Sequence, residues 1–320
     1  MSYPELRHHA LRIEELVLQR TLDQLGIALL ADGRAVDKTT MAAIPADAVA
    51  GIRGKCAGIA EMFEPFLDIP DPQALEAMHQ KLVTTTSRLA TASNSTDPIH
   101  GLKYLVDPDM NRARMVDETL THWRGLAGQE FKRTLQEDWP AVIQNQFSLL
   151  SVLAGTIGAT KALWEQCRTN VDSIAHQAIT ALQRMGEDTS VDAEVIILTV
   201  ASSVLAVGAT LTGGAGAVAL TAAGAAAQVG ATVVDKSAPE VNEEIHFDAV
   251  SPMALVEQLQ QALFKLQFIV LRKEEQIATA LIGSGETVTA LRSSFVTPRP
   301  LLADQTNRTI MTDQGLGDFL

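Results

Sequence analysis

Seven histidines, His8, His9, His79, His100, His122, His176 and His246, are the first places to look for chemistry in this chain. A metal centre legible in sequence needs two such ligands at helical or strand spacing with a third nearby, and no pair of these histidines has it. Glu243-Glu244 with His246 offers donor groups for a cation, but a solvated linker between helices accounts for the same residues. Glu137 and Asp138 are adjacent, and adjacent residues on a helix point in different directions, so they do not form an acid/base pair. Gly213-Gly214-Ala215-Gly216 lacks the following Lys-Ser/Thr and the preceding strand of a phosphate loop. Arg168 and Arg184 read as solvent-face charges. The two cysteines, Cys56 and Cys167, are far apart. They cannot make a disulfide framework or a zinc site and read as buried thiols. The expectation is a non-enzymatic protein with no cofactor, no metal and no small-molecule substrate identified.

The composition narrows the class. The chain has 320 residues, is 47% hydrophobic but only 4% aromatic, and contains 21 Gly. Few β-branched or aromatic residues alternate, which favours helices with small-residue packing. A formal charge of -13 excludes the electrostatic footprint of a nucleic-acid binder. The N-terminal MSYPELRHHALRIEELVLQR has no apolar run behind a basic start, so a cytosolic location or export without such a signal is expected.

Helical spacing recurs along the chain. Leu11, Ile13, Leu16, Leu18, Leu22, Leu25 and Leu29 predict a helix ending near Asp32-Gly33. Asp47 to Leu67 predicts a second and Gln73 to Ser93 a third. Residues 94–110 are turn-rich and read as a linker. A helix over Asn111 to His122 precedes Trp123-Arg124-Gly125, where Gly125 permits the positive φ of a helix–helix turn and Trp123 can cover both helix ends. Asp138-Trp139-Pro140 fits an N-cap followed by an early helical proline, so the helix restarts or kinks there. Leu150, Leu153, Ile157, Thr160, Trp164, Cys167, Val171, Ile174, Ala178, Ala181 and Met185 then keep strict 3-4 spacing, the pattern of a coiled-coil-like seam. A helix from Pro140 to Met185 would be roughly 70 Å long. Pro252 to Ile282 is a further heptad helix, broken at Gly283-Ser284-Gly285, and residues 296–320 read as a loosely ordered tail. No strand is predicted.

The run WRGLAGQEF, then Trp139-Pro140, then the long helix with ALWEQCRTNVDSIAHQAITAL, resembles the WxG-type family. Its members are helical-hairpin substrates of type VII (ESX) secretion in actinobacteria and other Gram-positive bacteria. The resemblance covers about Asn111 to Met185 and implies that Trp123 and Gly125 are the turn motif, with Phe131 in the helix that follows. It further implies pairing with a second hairpin. The chain departs from the family in length, and it lacks a Tyr-x-x-x-Asp/Glu signal after the second helix, since its tyrosines are Tyr3 and Tyr104. It is more similar to larger secretion-associated members.

Val195 to Val234 contains no charged residue. A bilayer-spanning helix needs about 20 apolar residues, and Val195 to Thr212 and Ala215 to Val234 approach that length on either side of Gly213-Gly214. Val195, Ile196, Ile197, Leu198, Val200, Val204, Leu205 and Val207 carry the bulk of the apolar surface. Charges flank both ends, Asp192 and Glu194 before, Asp235 and Lys236 after, so a hairpin could enter a membrane without dragging a charge through it. Alanine-rich helices also serve as soluble core, because small side chains bury little area.

The expected fold is all-α: an elongated bundle of long antiparallel helices with a central Ala/Gly-rich apolar helical hairpin. Its segments are an N-terminal helical region (1–93), a linker (94–110), a WxG-like hairpin (111–190), an apolar hairpin (191–236), a C-terminal heptad helix (237–295) and a tail (296–320). The expected function is that of a type VII secretion-associated protein, secreted without a signal peptide or membrane-associated, whose hairpin engages membrane lipid or forms a pore. Leu150, Leu153, Ile157, Trp164, Val171 and Ile174 would form the seam for a helical protein partner or a homo-oligomer. The competing reading is a soluble cytoplasmic scaffold with the apolar hairpin as core.

Overall fold

The computed structural model describes residues 3–92, 95–97, 103–114, 126–185, 194–198, 243–247 and 251–297. Trp123, Gly125, Val200, Val204, Leu205, Val207, Gly213 and Gly214 lie outside the described residues. What is described is predominantly helical, in line with the all-α expectation, but it includes two small antiparallel ladders that the sequence pattern did not predict.

Helix α1 (Leu6–Gln24) ends earlier than its leucine spacing suggests. Gly26 takes φ +69°, a left-handed conformation that glycine adopts without a Cβ penalty, and stops the helix. Leu29 therefore falls in strand β1 (Ile27–Leu29), which pairs with β2 (Ala35–Asp37) across a turn at Asp32-Gly33. The Asp32 carboxylate accepts the Arg34 backbone N–H at 3.0 Å and fixes that turn. The ladder packs Ile27 and Ala35 with Leu22 of α1 and Val49 of α2 (Ala46–Cys56). The single helix predicted over Asp47 to Leu67 is divided at Gly58, with φ +90°, and continues as a 3₁₀ segment (Ala60–Phe66) that buries Phe63 and Phe66.

Helix α3 spans Pro72–Arg88 and α4 spans Pro108–Arg114. Asp107 caps α4, accepting the backbone N–H groups of Asp109 at 2.9 Å and Met110 at 3.1 Å. Helix α5 (Leu126–Arg133) runs through a π turn (Thr134–Asp138) into α6 (Trp139–Arg184). At Asp138-Trp139-Pro140, where the helix is expected to restart or kink, the structure has this π turn: Pro140 has no N–H to offer the preceding turn, and widening the turn accommodates that. At 1.5 Å rise per residue α6 is about 70 Å long, the length expected. Strands β3 (Glu194–Leu198) and β4 (Glu243–Phe247) precede helix α7 (Pro252–Ala290). The break predicted at Gly283-Ser284-Gly285 does not occur. Hydroxyls of Ser284 and Thr287 bond back to the carbonyls of Ala280 and Gly283 at 2.9 and 2.8 Å, and the helix continues.

The chain divides into two compact units, neither contiguous in sequence. One comprises Met1–Pro72, Ala162–Ser202 and Pro239–Lys273, the other Gln73–Lys161, Ser203–Ala238 and Glu274–Leu320. In the first unit α1 lies along the second half of α6 in parallel, not in the expected antiparallel sense. Tyr3 stacks on Arg168, His9 faces Asp172, and Arg20 donates to the carbonyls of Leu182 and Gln183 at 2.8 and 2.7 Å. The long stretch between the two helices permits the parallel pairing. In the second unit α3 runs antiparallel to α6, with Glu76 on Lys161 at 2.8 Å and His79 against Gly158. Asn145 and Gln146 donate to the carbonyls of Ser294 and Phe295, just beyond α7.

This packing revises the partner seam. Val171 and Ile174 are completely buried inside the first unit, so they are intramolecular core and leave no seam for another molecule. Leu150, Leu153, Ile157 and Trp164 are half-buried. On α7, Phe264, Phe268 and Leu271 are 67%, 53% and 56% exposed at i, i+4, i+7 spacing on one helical face.

Candidate functional site

Helix α1 buries Leu6, Ala10, Ile13 and Val17, and His9 falls on that same inward face with its side chain only 7% exposed. Across from it, α6 presents Asp172 and His176, one helical turn apart and therefore on one face. The parallel pairing of the two helices, anchored at Tyr3–Arg168 before the cluster and at Arg20 beyond it, sets His9 against both. His9 Nδ1 is 3.4 Å from Asp172 Oδ1, and His176 Nε2 is 3.7 Å from the same oxygen. The imidazoles meet edge to face with centroids 4.4 Å apart. His9 Nδ1, Asp172 Oδ1 and His176 Nε2 are all buried atoms without a hydrogen-bond partner.

The electrostatics oppose protonation of His9. Burial pushes its pKa below the usual histidine value, and the neighbouring His176 adds to this, as does His8 more weakly. Asp172 and Glu5 pull the other way. Glu5 Oε2 stands 3.9 Å from His9 Nε2, on the far side of the ring from Asp172. A carboxylate there favours the tautomer protonated on Nε2, with the Nδ1 lone pair turned toward Asp172 and His176.

Sequence spacing assigns His9 and His176 no metal-ligand role, and it does not single out Asp172 at all. Asp172 and His176 do stand at i, i+4 on a helix that the heptads predict, which is a legible signal. Their third member lies on the first helix, and sequence gives no reason to pair the two. Arg168, expected to be a solvent-face charge, is instead a hub. Its guanidinium stacks 4.6 Å from the Tyr3 ring centroid, bonds the carbonyls of Ile69 and Pro70 at 3.0 and 3.1 Å, and pairs with Asp71 at 3.2 Å. Cys56 and Cys167 are buried, and burial pushes the Cys56 thiol up.

A second feature brackets the uncharged stretch. β3 and β4 pair antiparallel with Glu194 opposite Phe247, Ile196 opposite Ile245 and Leu198 opposite Glu243. Val195, Ile196, Ile197 and Leu198, expected in the first arm of a helical hairpin, are therefore strand residues, and β-branched side chains favour that conformation. Glu243, Glu244 and His246, read as a solvated linker, form the partner strand. Phe131, the remaining residue of the turn motif inside the described structure, is 42% exposed on α5. Among the described residues α6 with its preceding turns (Gly128–Arg184) is long and apolar enough to cross a membrane, but half of its most apolar window is buried within the protein, as in a core helix.

No family model, curated protein or solved structure matches this chain.

Proposed function

We propose that this chain is a non-enzymatic, membrane-active helical protein that presents its uncharged segment to a bilayer as a re-entrant loop. The observation that carries this reading is the β3–β4 ladder. Antiparallel pairing of Leu198 with Glu243 makes residues 199–242 leave and return at one place. It also keeps Glu194, Glu243 and Glu244 at the base of the loop, while Thr199 to Val234 carries no charge. Each buried charge would add about 2.5 kcal/mol or more at the centre of a membrane helix, so this division of charge suits shallow entry.

The ladder also limits how deep the loop goes. With residues 195–198 in a strand, only the stretch 199–212 remains before Gly213-Gly214, shorter than the roughly 20 residues a spanning helix needs. Full spanning requires the ladder to open. A pore additionally requires several copies, because one hairpin cannot enclose an aqueous channel. The exposed Phe264, Phe268 and Leu271 supply the apolar face for contact with a second copy. An elongated bundle of long helices belongs to the same proposal, as does delivery by a type VII secretion route, which rests on the WxG resemblance.

Liposome flotation and dye release test the reading. The wild-type protein is expected to float with vesicles and release dye, and Val200→Asp to do neither while its far-ultraviolet spectrum stays unchanged. A wild-type protein that never floats, at neutral or acidic pH, would establish the soluble cytoplasmic scaffold instead.

A further inference from the structure

We infer that His9, Asp172 and His176 form a binding site for a divalent first-row metal ion, with zinc the best match, that ties α1 to α6. Two imidazole nitrogens and one carboxylate oxygen lie within 4.8 Å of one another. Ligands at a tetrahedral angle around zinc, each at 2.0–2.1 Å, stand about 3.4 Å apart. The 3.4 and 3.7 Å separations from Asp172 Oδ1 are close to that figure. The third edge, between the two imidazole nitrogens, is within 4.8 Å and must shorten on binding.

The competing explanation is a hydrogen-bonded His–Asp–His cluster. It predicts at least one N–H donated to the carboxylate, yet the three inward atoms are buried and unpaired. Leaving buried polar atoms unpaired is costly, and three in one place, all lone-pair donors on a shared centre, is what a cation would satisfy. The donor set selects the ion. Two nitrogens out of three ligands disfavour magnesium and calcium, which take oxygen, and suit zinc and its first-row neighbours.

The surroundings complete the site. Glu5 behind His9 supplies the outer carboxylate that orients a metal-bound imidazole. Asp172 and His176 are 17% and 27% exposed at their side chains, so the cluster lies near the surface of the first unit. Binding exchanges hydration waters of the ion for two nitrogens and one oxygen, with no bond made or broken in the protein. The ion would staple the N-terminal helix to the long helix and stabilise the first unit. This inference is independent of the membrane reading.

The test uses the tag-free full chain after chelator dialysis, titrated with Zn(II) by calorimetry and with Co(II) by visible absorption. One ion per chain is expected, with a Co(II) band characteristic of low coordination number and a Tm that rises with added Zn(II). The double variant His9→Ala/His176→Ala should lose the band and the Tm rise. Asp172→Asn, nearly isosteric and safer for folding, should weaken binding at least about tenfold, and the exposed Glu5→Gln by about the same factor through orientation of His9. His79→Ala and His246→Ala should bind as wild type. Absence of stoichiometric binding, or equal binding by wild type and the His9/His176 variant, overturns the site.

Discussion

Along residues 162–184, α6 turns Leu163, Cys167, Val171, Ile174, Ala178 and Leu182 inward, all at 2% exposure or less. Over residues 139–161 the same helix buries Asn145, Ser148, Ser151 and Thr156, while Leu150, Leu153 and Ile157 are only half-buried. One uninterrupted heptad stripe thus has two meanings. In the second half it is hydrophobic core. In the first half the stripe lies at the margin, and Asn145, Ser148, Ser151 and Thr156 share the interior with Val142, Ile143, Phe147, Val152, Ala154 and Ala159. Periodicity reports that a helix has an apolar face, but what covers that face depends on which distant segment returns to it.

The contrast is broken most directly by truncating one leucine in each half. Leu182→Ala empties a fully enclosed position and is expected to cost about 2–5 kcal/mol. Leu153→Ala, at a half-buried position, should cost under about 2 kcal/mol, because less area leaves water on folding. Urea midpoints for the two variants at constant m-value measure the difference. Equal losses would mean that the two halves are packed alike.

The polar side chains buried in the first half make a sharper prediction, because two of them should respond with opposite signs. Asn145 has no exposed surface and donates Nδ2–H to the Ser294 carbonyl at 2.8 Å. Asn145→Ala removes that bond and loosens the segment after α7, an expected loss of about 1–3 kcal/mol. The Ser151 hydroxyl is equally enclosed but has no partner. Ser151→Ala removes an unsatisfied group from the interior and is expected to stabilise the protein by up to about 1 kcal/mol. A destabilised Ser151→Ala would show that its hydroxyl is bonded in solution.

How much of this was legible in the sequence follows from the range of each interaction. The length of α6 and the irregularity just before Pro140 were readable, because heptad spacing and Pro140 act over one or two turns. The ends of α1 and α2 were misplaced for a local reason: Gly26 and Gly58 stop them at positions where apolar spacing runs on. The continuation of α7 through Gly283 and Gly285 is the converse, since tertiary context outweighs a helix propensity cost of about 1 kcal/mol per glycine. The β3–β4 ladder was hidden because Val195 to Leu198 is an apolar run that fits helix and strand equally, and its partner strand lies beyond the whole uncharged stretch. The His9–Asp172–His176 cluster was out of reach for the same reason. Asp172 and His176 share a predictable face, but the parallel docking of α1 that brings His9 to them rests on Arg20 bonding the carbonyls of Leu182 and Gln183 and on Tyr3 stacking against Arg168.

The smallest expected effect separates the two halves by their response to acid. Glu76 on α3 is bound by Lys161 of α6 at 2.8 Å and by the Gln80 amide, and both bonds hold its carboxyl below the ordinary glutamate value, the Lys161 bond most of all. A carboxylate depressed in the folded state binds protons more readily when unfolded. Its contribution is therefore present above the unfolded pKa and is lost as pH falls through the folded one. Glu76→Gln should flatten the decline in stability of the second unit on acidification and change little at neutral pH, because a partly exposed pair is screened by solvent. Native-state hydrogen exchange of the α3 amides between pH 3 and pH 6 reads this locally. If wild type and Glu76→Gln lose protection in α3 in parallel as the pH drops, the Lys161 pair does not hold α3 to the polar half of α6, and His79 against Gly158 must carry that contact instead.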